Sequence, residues 1–171
     1  MSVNDVVNAC VIEKLTAADV ERGKTIRLAA LADAPDAFAS TLEEELDLPI
    51  QTWQERLANP NTVTFVAVVG GTDVGLVIGL PHWNGPGEAA IVSMWVAPRY
   101  RRAGVGTALI QAVIAWAHES GYTAARLQVA DKNISASRLY QRKGFVPTGN
   151  VSTLPPPRNH ITEHELTIRF R

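Results

Sequence analysis

Apolar residues recur at helical spacing along the stretch that follows Gly104. The positions that carry the pattern are Val105, Ala108, Leu109, Ala112, Val113, Trp116 and Ala117. This spacing predicts an amphipathic helix with one continuous buried face. The run before it, Ile91 to Val96, is mostly apolar and predicts a buried strand. Because Pro98 has no N–H to donate, strand pairing is expected to stop there, and the unit is a strand, a turn and a helix.

Further periodic stretches place elements on both sides of this unit. Alternating or β-branched runs predict strands at residues 9–15, 63–69, 74–80, 123–130 and 163–170. Capping residues predict helices that begin at residue 17 behind Thr16 and cover 41–46 behind Ser40, 51–58 behind Pro49, and 134–143. Strands two to four follow one another without a helix between them. They are therefore expected to form an antiparallel meander that leads into the turn.

The composition limits the class of protein. The chain has 171 residues, enough for one domain with a sizeable core, and we predict a single domain over 1–171. Charged residues make up 19% and the net charge is -1, so no basic excess points to nucleic acid as a partner. Cys10 is the single cysteine, which excludes an intrachain disulfide. With no secretory signal or membrane-spanning apolar run in the sequence, we expect a cytoplasmic protein without a membrane partner.

The turn before the long helix has the features of an anion site. The first N–H groups of a helix have no intrahelical acceptor, and they point, with the positive dipole end, at whatever lies in front. Gly104 and Gly106 allow close approach of an anion such as phosphate, and Arg101 and Arg102 add positive charge. Alternatively, the glycines serve only a tight connection. The P-loop and dinucleotide patterns do not apply, because there is no lysine before Thr107 and no third glycine.

Two motifs resemble those of the GNAT N-acetyltransferase superfamily. Val96-x-Pro98-x-x-Arg101-x-x-Gly104-x-Gly106 is similar to the family's acetyl-CoA signature. Asn133-x-x-Ala136-x-x-Leu139-Tyr140-x-x-x-Gly144-Phe145 looks like its second conserved block. The resemblance implies a GNAT-like α/β fold, with a mixed, mostly antiparallel sheet of about seven strands and helices on both faces. It also implies that acetyl-CoA, as co-substrate, lies between strands four and five.

The resemblance further implies which residues contact acetyl-CoA. The main chain of the central strand would pair with the pantetheine arm, and the turn would hold the phosphates. The expected cofactor-binding residues are Met94, Trp95, Val96, Arg101, Arg102, Ala103, Gly104, Val105, Gly106, Thr107 and Asn133. Two of these also have structural explanations, since Asn133 is a good helix N-cap and the Trp95 ring is a good core aromatic.

The catalytic residues are expected to be a proton donor and a proton acceptor. Tyr140 lies seven residues after Asn133, so both fall on the same side of one helix, and the resemblance implies that its phenol protonates the departing thiolate. The proton acceptor is less well defined, because the central strand carries Val92 at the position where many family members carry a glutamate. The candidates are Glu88, chosen here as the catalytic base, His82, Ser93 through water, or no dedicated base. No metal-ligand spacing occurs, so no metal is predicted.

The resemblance thus implies acetyl-CoA-dependent N-acetylation of a primary amine, and we favour a small molecule as the acceptor. The alternatives are a protein lysine or N-terminal acetyltransferase, or a catalytically weak CoA-binding regulatory module. The acidic run Glu43 to Glu45 is interpreted as a solvated helix face or as an attractor for a cationic amine. Residues 158–160 either help to select the substrate or form a plain surface loop. Exposed sheet edges favour a homodimer.

Overall fold

The computed structural model describes all residues from 1 to 171. Its strands are β1 (Val11–Lys14), β2 (Val63–Val69), β3 (Thr72–Pro81), β4 (Glu88–Val96), β5 (Ala124–Ala130), β6 (Val146–Thr153) and β7 (Thr162–Arg169). Its helices are α1 (Val3–Ala9), α2 (Val20–Asp33), α3 (Leu42–Leu46), α4 (Ile50–Ala58), α5 (Val105–Glu119) and α6 (Ile134–Arg142). None of these helices has the length and apolarity needed to cross a bilayer.

The seven strands form one sheet in the order β1-β2-β3-β4-β5-β7-β6. All neighbours are antiparallel except β4 and β5, which are joined through α5 and run parallel. The parallel pair follows from the crossover helix, because a short hairpin can join only antiparallel strands. The predicted mixed, mostly antiparallel sheet of seven strands is therefore confirmed.

A buried apolar layer covers each face of the sheet. On one face α5 packs Leu109 and Val113 against Val77 of β3, and all three are fully buried. On the other face α2 packs Ile26 and Leu31 into a smaller cluster with Leu76, Val66 and Trp95. Val77 of β3 belongs to the first layer and its neighbour Leu76 to the second, because successive side chains of a strand point to opposite faces of the sheet. The prediction of helices on both faces is confirmed.

Two boundary predictions were wrong at the N-terminal half of the chain. Residues 3–9 form α1, because Ser2 and Asp5 make a complete capping box, and the first strand begins only at Val11. The acidic helix α3 is capped by Thr41 rather than Ser40, since Glu44 stands three residues after Thr41 and returns the hydrogen bond. The cap predicted at Thr16 is confirmed, and it opens a 3-10 turn at Ala17–Asp19 that leads into α2.

Candidate active site

A bulge in the central strand β4 interrupts its pairing with β3. Leu76 of β3 faces Trp95 and Ile78 faces Val92, so β4 carries one more residue than β3 across this interval. The extra residue is accommodated by Ser93, which adopts a φ of 59°, a left-handed conformation that is uncommon for a side chain other than glycine. A strained residue in an apolar strand commonly marks a functional position.

From Ile91 onward β4 has no partner on the edge that faces β5. It pairs with β5 only over Glu88 to Ala90, opposite Ala124 to Arg126, and the two strands then separate. The main chain from Ile91 to Val96 therefore keeps free hydrogen-bonding groups along the opening. An extended ligand with amide groups fits such an edge by adding main-chain hydrogen bonds.

The bulge is held by a buried ion pair. Arg27 on α2 donates through Nη1 to the Ser93 hydroxyl, while its Nε and Nη2 donate to Glu45 at 3.1 and 2.9 Å. The Glu45 side chain is 4% exposed and that of Arg27 is 12% exposed. Burial acts to raise the pKa of Glu45, but Arg27 and Arg56 outweigh it, so the net effect holds the pKa below its usual range. Neither interpretation of the acidic run applies to Glu45, which is a structural anion inside the protein.

The turn before α5 presents a row of unbonded main-chain donors. No N–H from Arg102 to Thr107 donates a hydrogen bond within the chain, and the first donor in the helix is Ala108, to the carbonyl of Gly104. Gly104 has a φ of 78°, a conformation that favours glycine. A Cβ on Gly106 would lie 3.4 Å from the Met94 side chain, which connects the turn to the opening of β4. Converging N–H groups at a helix N-terminus are a strong anion site.

The two arginines of the turn differ in their surroundings. Arg101 is tied to the fold, since its Nε donates to the Val96 carbonyl at 2.9 Å and its Nη2 lies 2.5 Å from Asp33. The same Asp33 oxygen accepts from the Trp95 indole at 2.9 Å. Arg102 is exposed and forms no ion pair. Of the two side chains, only that of Arg102 is uncommitted and available to an anion.

Two cavities meet at the opening between β4 and β5. The first has a volume of about 550 Å³ and reaches from the 33–37 segment past Met94 to Asn133 and Tyr140. The second is about 310 Å³ and extends toward Phe38 and Trp83. The two share lining residues on β4, β5 and β7, namely Ile91, Val92, Ser93, Leu127, Gln128 and Glu163. A ligand in one cavity therefore adjoins a ligand in the other at these strands.

Arg158 clamps the loop between β6 and β7 over the cavities. Its guanidinium donates to the carbonyls of Phe38 and Ala39 at 2.7 Å each, and to that of Pro35. The side chain thus joins the 35–39 segment to the proline-rich loop. Both segments contribute to cavity walls, so Arg158 fixes the shape of the entrance rather than serving as a plain surface residue.

Tyr140 and Asn133 are brought together by α6. The Tyr140 ring packs edge to face on Phe145 at 5.9 Å between centroids, and it lines the first cavity. Burial raises the pKa of Tyr140 well above its usual value, which keeps the phenol protonated near neutral pH. Asn133 is the N-cap of α6, accepting from the N–H of Ala136 at 3.2 Å, and it also lines the cavity.

Glu88 lies away from this site. It begins β4 at the end where β4 and β5 still pair, its Oε2 lies 2.5 Å from Nε of Arg126, and it lines neither cavity. Arg126 also contacts Glu165, whose Oε1 accepts from Thr148 and Asn150. The carboxylate predicted as catalytic base is thus committed to a charged network on the sheet, and the geometry does not bring it to Tyr140.

The comparisons with known proteins agree with this geometry. The family model described as "Acetyltransferase (GNAT) family" matches residues 28–145, more than half of the chain. The chain belongs to the GNAT acetyltransferase family. Among solved structures it is similar to a GCN5-related N-acetyltransferase from Kribbella flavida, with a TM-score of 0.76 and 26% identity over 95% of this chain and 99% of that one.

Individual relatives of this GNAT chain differ in name. It is 41% identical over 87 residues to "Streptothricin acetyltransferase A" of Bacillus subtilis strain 168, covering 51% of this chain and 48% of that protein. It is 30% identical over 142 residues to "N-alpha-acetyltransferase" of Sulfurisphaera tokodaii, covering 75% of this chain and 84% of that protein. The chain spans less than half the length of the first curated relatives that it matches, 48%, 41% and 39%.

Two site residues of this GNAT chain were missed from the sequence. Trp83 precedes β4, is 58% exposed, stacks on His82 at 4.4 Å and lines the second cavity. Glu163 is the second residue of β7 and lines both cavities. The alternation of β7 could have indicated this position. Because Leu166 and Ile168 are apolar and share one face of the strand, the odd-numbered Glu163 lies on the opposite face. The structure brings together no group of three His, Cys, Asp or Glu side chains suited to a metal ion.

Proposed function

We propose that this GNAT chain is an acetyl-CoA-dependent N-acetyltransferase that acetylates a primary amine of a small molecule. The observation that carries the proposal is the bulged, unpaired edge of β4, which lies between a row of unbonded N–H groups and a buried tyrosine. This arrangement offers one extended amide-bearing ligand a strand edge, a phosphate site and a proton donor at once.

In this proposal acetyl-CoA occupies the turn before α5 and the first cavity. The main chain of Met94, Trp95 and Val96 pairs with the pantetheine arm, and the N–H groups from Arg102 to Thr107 bind the phosphates. The residues fit such a ligand, because Gly106 leaves the turn without a side chain beside Met94. Asn133 stays occupied as the α6 cap and contributes its remaining amide N–H groups to the cavity wall.

The proposed reaction is direct attack by the amine on the thioester carbonyl. The C–N bond forms, the C–S bond breaks, and Tyr140 donates its proton to the departing sulfur. The raised pKa of Tyr140 keeps that proton on the phenol until the thiolate develops. A protein that only bound CoA would gain nothing from a phenol at this place, which favours an enzyme over a regulatory module.

The shape of the second cavity favours a small acceptor. Its volume is about 310 Å³, and the 35–39 segment is tied to the proline-rich loop by Arg158. An internal lysine of a polypeptide acceptor would need room for the chain on both sides of it. The Bacillus subtilis relative is named for streptothricin, whereas the Sulfurisphaera tokodaii relative is named an N-alpha-acetyltransferase. The proposal follows the first of these.

The test is the release of CoA thiol from acetyl-CoA in the presence of single amines. The panel covers streptothricin, polyamines, aminoglycosides, amino acids, and peptides with a free N-terminus or lysine. We expect thiol release with one small-molecule class and an acetylated product by mass spectrometry. Release with peptides alone would replace the small-molecule assignment. Binding of acetyl-CoA without release by any amine would favour the regulatory module.

A further inference from the structure

Glu163 occupies the junction of the two cavities. It lies near the start of β7, opposite Ala130 of β5 and Ser152 of β6, where β4 and β5 have already separated. The residue is half-buried and lines the walls of both cavities. Its carboxylate accepts no hydrogen bond and forms no ion pair, in contrast to that of Glu165 two residues later on the same face.

The other acids of the first cavity are committed or remote from the junction. Asp33 is bonded to Trp95 and Arg101, as described above. Asp131 pairs with His164 on the exposed side of β7. Asp36 is exposed on the short 3-10 helix of the 35–39 segment and lines the first cavity only. Glu163 is thus the one unpaired carboxylate that lines both cavities.

The cations around the junction are held or exposed. Arg27 is bound to Glu45 and to the bulge, and Arg158 is bound to three carbonyls. Lys132 and His160 line the first cavity and are exposed. Burial raises the pKa of Glu163, and the charge of Arg158 only partly opposes this effect. A carboxylate that is poorly solvated and unpaired binds a proton more readily than an ordinary glutamate.

We propose that Glu163 is the proton acceptor for the attacking amine, an inference that rests on the proposed function. The ammonium group of the acceptor transfers one proton to the Glu163 carboxylate, and the neutral nitrogen then attacks the thioester carbonyl. As the C–S bond breaks, Tyr140 protonates the sulfur and recovers a proton from the nitrogen. The products are an amide, CoA thiol and protonated Glu163, which returns its proton to solvent.

This placement accounts for two features of the chain. Val92 and Gln128 cannot take a proton, although both line the two cavities. A base on β7, which pairs with β5, lies at the same junction, so neither β4 nor β5 needs to supply a base. Ionised Glu163 would also attract a cationic acceptor into the second cavity, beside the exposed ring of Trp83.

The test compares wild type with Glu163→Gln, an isosteric change that removes the proton acceptor. We expect kcat/KM for the amine to fall about 100-fold or more, with acetyl-CoA affinity by calorimetry within about twofold of wild type. The acid limb of the kcat/KM profile assigned to Glu163 should disappear. The deficit should shrink above the pKa of the amine, and with a weakly basic acceptor, because the nitrogen is then already neutral.

Glu43→Gln is the matched control, since it removes one exposed carboxylate that lines neither cavity. We expect it to lose less than about threefold in kcat/KM. An equal loss in both variants, at every pH, would mean that Glu163 only attracts cations and would overturn the proposal. Unchanged activity in Glu163→Gln would also overturn it while leaving the proposed function intact.

Failure of the proposed function would give a different experimental result. Wild type that binds acetyl-CoA but releases no thiol with any amine would refute the enzyme and the base together. If Glu163→Gln does not fold by circular dichroism, Glu163→Asp takes its place. The shorter carboxylate should keep the acid limb of the pH profile and lower kcat more than KM. Loss of the acid limb in a folded Glu163→Asp would contradict the assignment.

Discussion

The buried pair of Arg27 and Glu45 predicts a large loss of stability for Glu45→Gln. The substitution keeps the shape of the side chain but leaves the guanidinium of Arg27, 12% exposed, without its anion. Breaking a buried ion pair by removing one partner costs about 3 to 5 kcal/mol. We expect a loss at the lower end of this range, about 3 kcal/mol. Arg56 loses its partner Glu45 as well, but its side chain is 46% exposed, so water solvates its charge and adds little to the loss.

For a chain of this size about 3 kcal/mol corresponds to a lower Tm by roughly 6 to 12 °C. The assay is thermal unfolding by circular dichroism at pH 7, checked by urea denaturation. The control is Glu43→Gln, which removes an exposed neighbour in the same helix and should shift Tm by less than about 2 °C. Equal and small shifts in the two variants would refute the reasoning, because they would mean that Glu45 is solvated.

The pH dependence gives an independent check. Because the pKa of Glu45 is lowered in the folded state, the stability it contributes is present above the ordinary carboxyl value. That contribution is lost as the pH falls through the lowered folded value. The difference in Tm between wild type and Glu45→Gln should therefore be largest at pH 7 and should decrease at acid pH. A constant difference at all pH values would contradict the ion-pair account.

Three further predictions address the site and the core. Tyr140→Phe removes a hydroxyl without a hydrogen-bond partner, so kcat should fall about 100-fold or more while Tm stays within about 2 °C; a wild-type kcat would exclude Tyr140 as acid. Arg102→Ala should weaken CoA binding at low salt and much less at high salt by calorimetry, and a salt-independent loss would contradict a screened contact. Gly79→Ala should cost about 1 to 3 kcal/mol by urea denaturation, because its Cβ would lie 2.5 Å from a Trp116 ring carbon; full stability would mean that the ring moves freely.

The sequence alone was sufficient to predict most of the helices and strands and the turn before α5. Hydrophobic period and capping residues determine helices and strands locally, and α5, α6 and β2 to β5 lie close to where the pattern predicts them. The N-terminal region deviated because two overlapping signals compete there. The apolar run from Ala9 to Ile12 supports a strand from residue 9, while the Ser2 and Asp5 capping box starts a helix that extends to Ala9.

The charged residues were decided by the tertiary structure. Glu43, Glu44 and Glu45 are adjacent and equivalent by spacing. Glu43 and Glu44 are nevertheless exposed, with Glu44 completing the capping box of Thr41, whereas Glu45 is buried. The difference depends on Arg27, which lies 18 residues away and reaches Glu45 only when α2 and α3 pack together. The same holds for Arg101, a cation of the turn by sequence and a partner of Asp33 in the fold.

The candidate proton acceptor illustrates the same division. Glu88 and Glu163 are both glutamates near the start of a strand, but by sequence only Glu88, at the start of the central strand, was a candidate base. The register separates the two residues, since β4 and β5 are still paired at Glu88 and have separated where Glu163 lies. Local pattern determines which strands exist. The long-range pairing of β5 with β7 determines which carboxylate faces the opening, and that pairing is not encoded in any one segment.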